Sequence, residues 1–327
     1  MKGAWKRIVV AIGDPQARSN RALRKGAEIA RRSGARLYLF HAYAPPAGLY
    51  STFDPKTVER IVGETVERQN KGLERLARPL RRRGIDVRTG LVWDFPPHEA
   101  VVRFAIKQKA DLVVADSRRH GRLARWFLTN TDWELIRQCP CPLWFVKSPT
   151  LRPKIQVLAA VDPLHARAKP ARLDDRILQS ARQVARLLGG RAAACYAHTP
   201  PTPYLIVGDP LGQAPVQVPG LPDQVRRYTA TVRRALNRLA QRYGIPAAAR
   251  FVETGDPATV LPRLTRRLSS DLLVMGAVSR TGLKRLLIGS TAERVIDEVG
   301  CDVLIVKPDS FRAMVPRRAR MHPLPIP

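Results

Sequence analysis

The sequence predicts two tandem α/β domains, each built on a doubly wound parallel β-sheet with helices on both faces. The first observation is a repeat, because residues 111–147 align with residues 271–307 without a gap at a constant offset of 160. The second is the alternation of short apolar runs with amphipathic stretches in both halves, which is typical of parallel sheets flanked by helices. The third is the length of 327 residues, which suits two domains that each bury a core.

Identical residues recur at matching places in the two copies. In the first copy they are Asp111, Leu112, Leu123, Arg125, Thr131, Ile136, Cys141, Val146 and Lys147. Because a solenoid would repeat at a much shorter spacing, this spacing indicates duplicated domains. We expect a first domain at 1–148, a linker with two prolines at 148–154 and a second domain at 154–308. A basic tail at 309–327 is expected to be mobile.

The elements of the first half follow from its apolar periodicity. Strands are predicted at 7–12, 36–41, 87–93, 111–115 and 142–147. Helices are predicted between them at 20–33, 58–82, 98–108 and 131–138. The segment 45–55 is predicted to be a loop.

The second half repeats that order. Strands are predicted at 157–161, 191–197, 249–253, 271–275 and 303–307. Helices are predicted at 174–188, 225–243, 258–268 and 291–299. A proline-rich loop at 200–222 is long enough to form a lid.

The charge of the chain is strongly basic. The net charge is +30, and residues 1–150 and 151–327 each carry +15, from 29 basic and 14 acidic side chains and from 28 and 13. Two interpretations stay open: a solvated basic surface that follows from composition, or attraction to phosphate polymers and other anionic surfaces. No aromatic-basic motif organises the charge for base recognition.

The compartment is predicted from the start of the chain and from its cysteines. The first residues lack the apolar stretch of a signal peptide, and no apolar run could cross a bilayer, so we expect a cytoplasmic protein. Cys139 and Cys141 are one residue short of a redox CxxC pair, and no second pair completes a zinc site. We therefore expect all four cysteines to be buried free thiols.

The second half contains a candidate anion site. Ligands of a doubly wound sheet bind beyond the carboxyl ends of the strands, where the strand order reverses, and segments 160–163, 196–198 and 276–293 should meet there. Gly289 would let a ligand approach the backbone, and Ser290 would cap the following helix with its hydroxyl. The free amides of that helix favour a phosphate, to which the loop residues Arg280, Lys284 and Arg285 could add charge-assisted bonds.

The same segment resembles a known nucleotide-binding loop. Its spacing is Gly-x2-Ser-x9-Gly-Ser, with Gly276, Ser279, Gly289 and Ser290 at the named positions. It resembles the loop of the universal stress protein family, whose pattern is Gly-x2-Gly-x9-Gly-(Ser/Thr). Further similar segments cover nearly the whole chain before the tail: 255–257 and 301–308, and, as in the first domain of tandem E-type members, 129–133 and 139–144.

The resemblance implies a fold and a set of ligand contacts. The fold is the universal stress protein, or adenine nucleotide alpha hydrolase-like, fold, with five parallel strands per domain and ATP or a related nucleotide as the cofactor. Asp162 would contact the ribose or adenine side, with Val161 and Ala197 lining the base pocket. The phosphates would be held by Gly276, Ser279, Gly289, Ser290 and Thr291. Serine at position 279 leaves open the alternative of a loop that packs for stability and holds no nucleotide.

The first half departs from that pattern. Asp14-Pro15 parallels Asp162-Pro163, but Asp116 and Arg119 occupy the two glycine positions. An acidic group at the mouth of an anion site repels phosphate unless a loop arginine neutralises it. We therefore expect a degenerate scaffold without a nucleotide.

Other motifs exclude several functions. Four histidines near strand ends or loops share no metal-binding spacing, so we expect no metal site and exposed or capping roles for His98, His120, His165 and His198. The motifs of P-loop NTPases and of α/β-hydrolases are absent. Because we find no catalytic acid, base and nucleophile arrangement, we expect that the protein is not an enzyme.

The leading hypothesis is a stress-response regulator that binds a nucleotide or related phosphorylated ligand in its second domain. The alternative is an interaction protein whose basic surface docks on nucleic acid, the ribosome or another acidic partner. Its best candidate contact is the tail cluster of Arg317, Arg318 and Arg320. A hydrophobic ligand held between the domains and assembly into a homodimer also stay open.

Overall fold

The computed structural model describes residues 5–43, 48–117, 130–150, 152–164, 172–199, 204–205, 216–217, 221–276 and 289–316. The strands of the first half are β1 (Arg7–Ala11), β2 (Arg36–Tyr43), β3 (Val87–Trp93), β4 (Leu112–Asp116) and β5 (Leu143–Val146). Its helices are α1 (Arg21–Ser33), α2 (Leu49–Thr52), α3 (Pro55–Arg82), α4 (Pro97–Lys107) and α5 (Asn130–Gln138). The predicted elements are all present, and the short helix α2 lies in a segment predicted to be a loop.

The second half repeats these elements. Its strands are β6 (Gln156–Ala160), β7 (Arg191–His198), β8 (Tyr204–Leu205), β9 (Val216–Gln217), β10 (Arg250–Thr254), β11 (Leu272–Gly276) and β12 (Asp302–Val306). Its helices are α6 (Leu173–Leu187), α7 (Leu221–Arg242), α8 (Pro257–Arg267) and α9 (Ser290–Glu298). Helix α7 begins four residues earlier than predicted, because Pro222 is compatible with a first helical turn. Strands β8 and β9 pair antiparallel within the predicted lid, most of which lies outside the described residues.

Ten of the strands form one sheet, in the order β10-β7-β6-β11-β12-β5-β4-β1-β2-β3. Within this sheet the strands of each half are parallel to one another, and each half has the order 3-2-1-4-5 of a doubly wound sheet. The predicted fold class is therefore confirmed. The sequence did not predict that the two sheets join, which they do through the antiparallel pair β5 and β12. This pairing satisfies backbone groups that each half alone would leave on an open edge.

Two layers of helices cover the sheet. Helices α1, α3, α6 and α7 pack on one face, and helices α4, α5, α8 and α9 pack on the other. Successive strand residues supply the two cores in turn: Ile8 and Val10 face the first layer, and Val9 faces the second. The core of each face runs across both halves. The described part of the junction is thus packed, which leaves the hypothesis of a ligand between the domains without support there.

Two lysines also connect the halves, and each of them contacts the last helix of the other half. Lys147, which follows β5, donates through Nζ to the carbonyl oxygen of Val299 at 2.9 Å and to that of Ile296, at the carboxyl end of α9. Its counterpart Lys307, which follows β12, donates to the carbonyl oxygen of Arg137 in α5 at 3.3 Å. Each half therefore places a cation at the carboxyl end of the other half's last helix, where the helix dipole favours positive charge.

The carboxylate of Asp302 accepts several hydrogen bonds across the junction. Asp302 is fully buried, and its Oδ1 accepts the backbone N–H groups of Lys147 and Ser148, each at 2.9 Å. Its Oδ2 accepts Trp144 Nε1 at 2.9 Å and is paired with the ammonium of Lys25 in α1. All four donors belong to residues that precede β6, so Asp302 ties the second half to the first.

The first part of the basic tail packs against the protein. Phe311 is buried, and its ring centre lies 4.4 Å from Lys307 Nζ. Arg103 in α4 donates through Nη1 to the carbonyl oxygen of Pro316 at 3.1 Å. The expectation of a mobile tail is therefore wrong for residues 309–316, because a buried aromatic side chain holds this segment. The cluster from Arg317 to Arg320 lies outside the described residues.

The four cysteines are free and buried, as predicted. In the described part of the chain, no cluster of three histidine, cysteine, aspartate or glutamate side chains is placed to hold a metal ion. A helix long and apolar enough to cross a membrane is likewise not found there.

Candidate functional site

The strand order of the second half reverses between β6 and β11. These strands are neighbours in the sheet, and β7 flanks β6 on its other side. Beyond β6, the N–H of Val161 donates to the carbonyl oxygen of Cys195 at 3.0 Å. Val161, Ala197 and Gly276 therefore lie at the carboxyl edge of three adjacent strands, where the sequence predicted a ligand crevice.

Asp162 lies at this edge and has partners that the sequence did not predict. Its N–H donates to Asp174 Oδ1 at 3.2 Å, at the start of α6. Burial raises the pKa of Tyr196, and the charges and hydrogen bonds of Asp162 and Tyr228 raise it further. The Asp162 carboxylate thus belongs to a polar cluster on the α6 and α7 side of the sheet, while its side chain stays partly exposed.

His198 completes that cluster from the end of β7. Its ring centre lies 5.8 Å from that of Tyr196 and 5.4 Å from that of Tyr228. The residue is 3% exposed, and neither ring nitrogen has a hydrogen-bond partner in the described part of the chain. Burial lowers the pKa of His198, so the imidazole is neutral at neutral pH.

The expectation of exposed or capping histidines is therefore wrong for His198, and His98 in α4 is buried as well. Strand β7 extends one residue beyond its predicted end, and the alternation of side chains then turns His198 toward the helices. His120 and His165 lie outside the described residues.

Gly276 has a packing reason to be glycine. A Cβ atom at this position would lie 2.8 Å from Leu173 Cδ2 and 3.5 Å from Ile177 Cδ1, both in α6. The glycine of β11 therefore lets the start of α6 lie close to the carboxyl edge of the sheet. This contact keeps the edge compact whether or not a ligand is present.

Gly289 occupies the cap position of α9. Its φ of −65° and ψ of 142° are open to any residue, and a Cβ atom there would meet nothing within 4 Å among the described atoms. The helix begins at Ser290, so the residue in the cap position is Gly289, one place before the serine expected there. Thr291 is exposed in the first turn. Ser279 and the neighbouring loop cations lie outside the described residues.

The start of α9 lies on the same edge of the sheet as the crevice. Arg294 Nη1 lies 2.9 Å from Asp256 Oδ2. Asp256 follows β10 and caps α8, because its Oδ1 accepts the N–H of Ala258 at 3.3 Å. Since α8 begins beyond the carboxyl end of β10, this ion pair brings the first turns of α8 and α9 together. Arg294 was not singled out by the sequence.

The strand register corrects one equivalence between the halves. Ile8 pairs with Leu112, and Val157 pairs with Leu272, which is the counterpart of Leu112 in the repeat. Gly13 and Asp162 each come five residues after Ile8 and Val157, so Gly13 is the residue of the first half that is equivalent to Asp162. The prediction that Asp14 parallels Asp162 is therefore wrong by one residue, and the first half has no carboxylate at that position.

The first half holds its own carboxylate where the second half has Gly276. Asp116 ends β4, and its Oδ1 lies 3.1 Å from Arg21 Nε. Its Oδ2 accepts the N–H of Ala22 at 3.2 Å in the first turn of α1, and burial raises the pKa of Asp116. The cation beside Asp116 is Arg21 of α1, and none of the arginines expected beside it in the following loop lies among the described residues.

A cavity of about 300 Å³ lies at the carboxyl edge of the first half. Apolar side chains such as Phe40, Val101 and Leu135 form much of its wall. Asp116 and Asp132 also line it, and Asp132 is 6% exposed. Alanine stands at the position equivalent to Asp132 in the second half, and glycine at that of Asp116. The first half thus has two carboxylates at the places where the second half has none, and Arg21 pairs with one of them.

Comparisons with known proteins agree with this architecture. The model of the Universal stress protein family matches residues 4–147 and again residues 159–307. Universal stress protein E of Escherichia coli (strain K12) is 27% identical over 316 residues, covering 95% of this chain and 96% of its own. The protein of that name from Photorhabdus laumondii is 25% identical over 316 residues, covering 95% and 98%.

Solved structures show the same fold. A protein of unknown function from Pseudomonas aeruginosa PAO1 superimposes with a TM-score of 0.70 at 26% identity, covering 94% of both chains. A universal stress protein from Archaeoglobus fulgidus DSM 4304 superimposes with a TM-score of 0.63 at 14% identity, covering 92% of this chain and 98% of its own. At that identity the second comparison supports the fold alone.

Proposed function

This chain belongs to the universal stress protein family, and from that membership we propose that its second half binds a nucleotide such as ATP, or a related phosphorylated ligand. Membership ties the chain to the stress response. In our proposal, occupancy of the second half regulates that response. The ligand would lie beyond the carboxyl ends of β6, β7 and β11, with its phosphates at the start of α9.

The open backbone at Gly289 carries this proposal. The first N–H groups of a helix lack partners within the helix and attract anions. Here the residue before that turn has no side chain, and no atom of the described residues lies within 4 Å of where its Cβ would be. Phosphate oxygens could therefore approach the amides of Ser290 and Thr291 directly. Asp162, Val161 and Ala197 would contact the nucleoside.

We propose a regulatory rather than a catalytic role for this site. Burial raises the pKa of Cys195 and raises that of Cys301 to about 12, so both thiols stay protonated and poorly nucleophilic at neutral pH. The imidazole of His198 faces the α6 and α7 side, away from α9. The imidazole is therefore not placed to attack a phosphate at the start of α9.

A lysine substitution at Gly289 tests the proposal. The purified protein is denatured and the released small molecules are identified by mass spectrometry, and ATP binding to the ligand-free protein is measured by calorimetry. Gly289→Lys is expected to abolish ATP binding and to leave the melting temperature unchanged, because a Cβ atom there meets no atom of the described residues within 4 Å.

Gly300→Lys is the matched control. Gly300 follows α9 at its carboxyl end, and a Cβ atom there also meets nothing within 4 Å. This variant adds the same charge to the same helix and is expected to bind ATP as the unaltered protein does. Unchanged binding in Gly289→Lys would refute the site. Binding of two nucleotides per chain would contradict the expectation that the first half holds no nucleotide.

A further inference from the structure

The two helical layers differ in charge. Helices α1, α3, α6 and α7 carry 22 basic and 8 acidic side chains, a net charge of +14. Helices α4, α5, α8 and α9 carry 7 basic and 6 acidic side chains, a net charge of +1. The helical part of the positive charge is thus concentrated on one side of the sheet. We call the outer surface of α1, α3, α6 and α7 the basic face.

On α7 a row of arginines has no acidic partner among the described residues. Arg227, Arg234 and Arg238 are exposed, and spacings of seven and four residues place them on one side of the helix. The row is about 16 Å long at the helical rise of about 1.5 Å per residue. In the described part of the chain, no carboxylate lies within ion-pair distance of these three guanidinium groups.

Helix α3 is different, although it occupies the matching place in the first half. Three of its exposed cations, Arg60, Lys71 and Arg81, are paired with glutamates of the same helix. Arg60 Nη1 lies 3.0 Å from Glu64 Oε1, and Lys71 Nζ lies 2.5 Å from Glu67 Oε1. The row on α7 differs from these three cations of α3 in having no such partner among the described residues.

The positive surface continues from α7 onto α6. A Cβ atom at Gly244, just after α7, would lie 3.4 Å from Arg182 Nη2, so this guanidinium lies beside the end of α7. Burial and the nearby charge of Arg186 both lower the pKa of Arg182. Like charges are thus held close together, and a bound polyanion would relieve their repulsion.

The composition of the face indicates which polyanion it fits. The exposed large apolar side chains of the described residues are Phe53, Phe95, Ile106 and Met314, and none of them lies in these four helices. Among the side chains that the structure describes, the face therefore offers no large exposed apolar group that would insert into a membrane. It also lacks exposed aromatic rings of the kind that stack on single-stranded bases.

We propose that the basic face is a docking surface for double-stranded RNA, which it binds through the phosphate backbone without reading sequence. The four helices lie side by side on the sheet, so the surface is broad and no helix projects to enter the major groove of DNA. The wide, shallow minor groove of an A-form duplex, bordered by two rows of phosphates, suits such a surface. The row of Arg227, Arg234 and Arg238 follows one of these phosphate rows. This surface is independent of the proposed nucleotide site.

Fluorescence anisotropy with the full chain tests the proposal. The probe is a labelled RNA duplex of about 20 base pairs, titrated between about 50 and 200 mM salt. The triple variant Arg227→Gln, Arg234→Gln and Arg238→Gln is expected to weaken binding about tenfold or more. It should also reduce the slope of log K against log salt by about 2 to 3, since each phosphate contact contributes about 0.9. An unchanged slope would overturn the proposal.

The matched control is the triple variant Arg263→Gln, Arg266→Gln and Arg267→Gln. These side chains are exposed on α8 in the opposite layer, and their replacement removes the same net charge. We expect an RNA affinity within about twofold of that of the unaltered protein. Salt screens the attraction between an exposed charge and a phosphate beyond about one Debye length, and α8 lies on the other side of the sheet. Equal losses of RNA affinity in both triple variants would show that binding depends only on the net charge of the protein, and would overturn the proposal.

Three further titrations separate the alternatives. If the protein bound a DNA duplex of the same sequence, or vesicles of anionic lipid, as tightly as the RNA duplex, the assignment to RNA would be overturned. Gly289→Lys is expected to bind RNA normally, because its substitution lies at the carboxyl edge of the sheet rather than on the basic face. Loss of ATP binding in that variant with RNA binding retained would show that the two sites are distinct.

Discussion

Lys25 and Asp302 form an ion pair between the two halves that is closed to solvent, with 3% and 0% of the residues exposed. They are 277 residues apart in the chain. The position equivalent to Asp302 in the first half is Pro142, so the junction has this pair on one side of its approximate two-fold axis only. The pair holds α1 of the first half against β12 of the second.

Removal of the Asp302 charge is expected to destabilise the protein strongly. Asp302→Asn leaves the Lys25 ammonium buried without a counter-charge, and the loss of one partner from a buried pair costs about 3 to 5 kcal/mol. The free energy of unfolding in guanidinium chloride at neutral pH measures this loss. The double variant Lys25→Met with Asp302→Asn should recover part of it, because no unpaired charge remains.

Asp309→Asn is the control for that measurement. Asp309 pairs with Arg176, but its side chain is 79% exposed. An exposed pair contributes about 1 kcal/mol or less. A loss in Asp309→Asn as large as that in Asp302→Asn would contradict the role of burial.

Lys147 is expected to make stability rise with pH. Burial lowers the pKa of Lys147 from 10.5 to about 8. Between these values the unfolded chain binds more protons than the folded chain, so the free energy of unfolding increases as the pH rises through this window. We expect a gain of about 3 kcal/mol at most over the window, at about 1.4 kcal/mol per unit.

The variant Lys147→Met isolates this effect. The difference in unfolding free energy between the unaltered protein and the variant should grow from about pH 8 upward and should be constant below it. Lys307, whose pKa burial also lowers to about 8, serves as an independent repeat of the experiment. A difference that does not depend on pH would contradict the prediction.

His198 is expected to destabilise the protein in acid. Burial lowers the pKa of His198 from its usual 6.5, so the unfolded chain takes up a proton first as the pH falls, and stability is lost below about pH 6.5. His198→Phe keeps an aromatic ring between Tyr196 and Tyr228 and removes the titration. Thermal melts from pH 8 to pH 5 should fall less steeply in the variant, and identical curves would contradict the prediction.

The two glycines of the candidate site are expected to respond differently to alanine. Gly276→Ala places a methyl group 2.8 Å from Leu173 Cδ2 and should cost about 1 to 3 kcal/mol of stability. The added methyl group of Gly289→Ala meets nothing within 4 Å in the part of the chain that the structure describes and changes only a helix cap, which should cost less than about 1 kcal/mol. Chemical denaturation of both variants measures the order, and a reversed order would contradict the packing argument.

The repeat and the apolar periodicity were enough to predict the fold of each half, because strand and helix periods depend on neighbouring residues. The union of the two sheets was not predictable from those periods. It depends on how β5 and β12 meet, and partners such as Lys25 and Asp302 are far apart in the chain. The start of α7 was placed too late because Pro222 was taken as a loop signal, although proline fits a first helical turn.

The candidate site was predictable where it depends on strand ends. Val161, Ala197 and Gly276 lie together because parallel strands bring their carboxyl ends to one edge. The prediction for His198 was wrong because β7 is one residue longer than predicted. In that extra strand position the His198 side chain lies on the face that the helices cover. Arg21 was missed because its contact with Asp116 crosses from α1 to β4, which no local pattern indicates.

The antiparallel pairing of β5 with β12 also bears on how the chain can evolve. In a pair of identical chains, every substitution at the shared boundary appears twice and must suit both of its copies. Here the two partners are one polypeptide, so a change in one half occurs once and is always matched with the same neighbour. A junction with Asp302 on one side and Pro142 on the other is open only to such a fused pair. The same freedom allows one crevice to acquire the carboxylates of Asp116 and Asp132 while the other keeps small residues at those places.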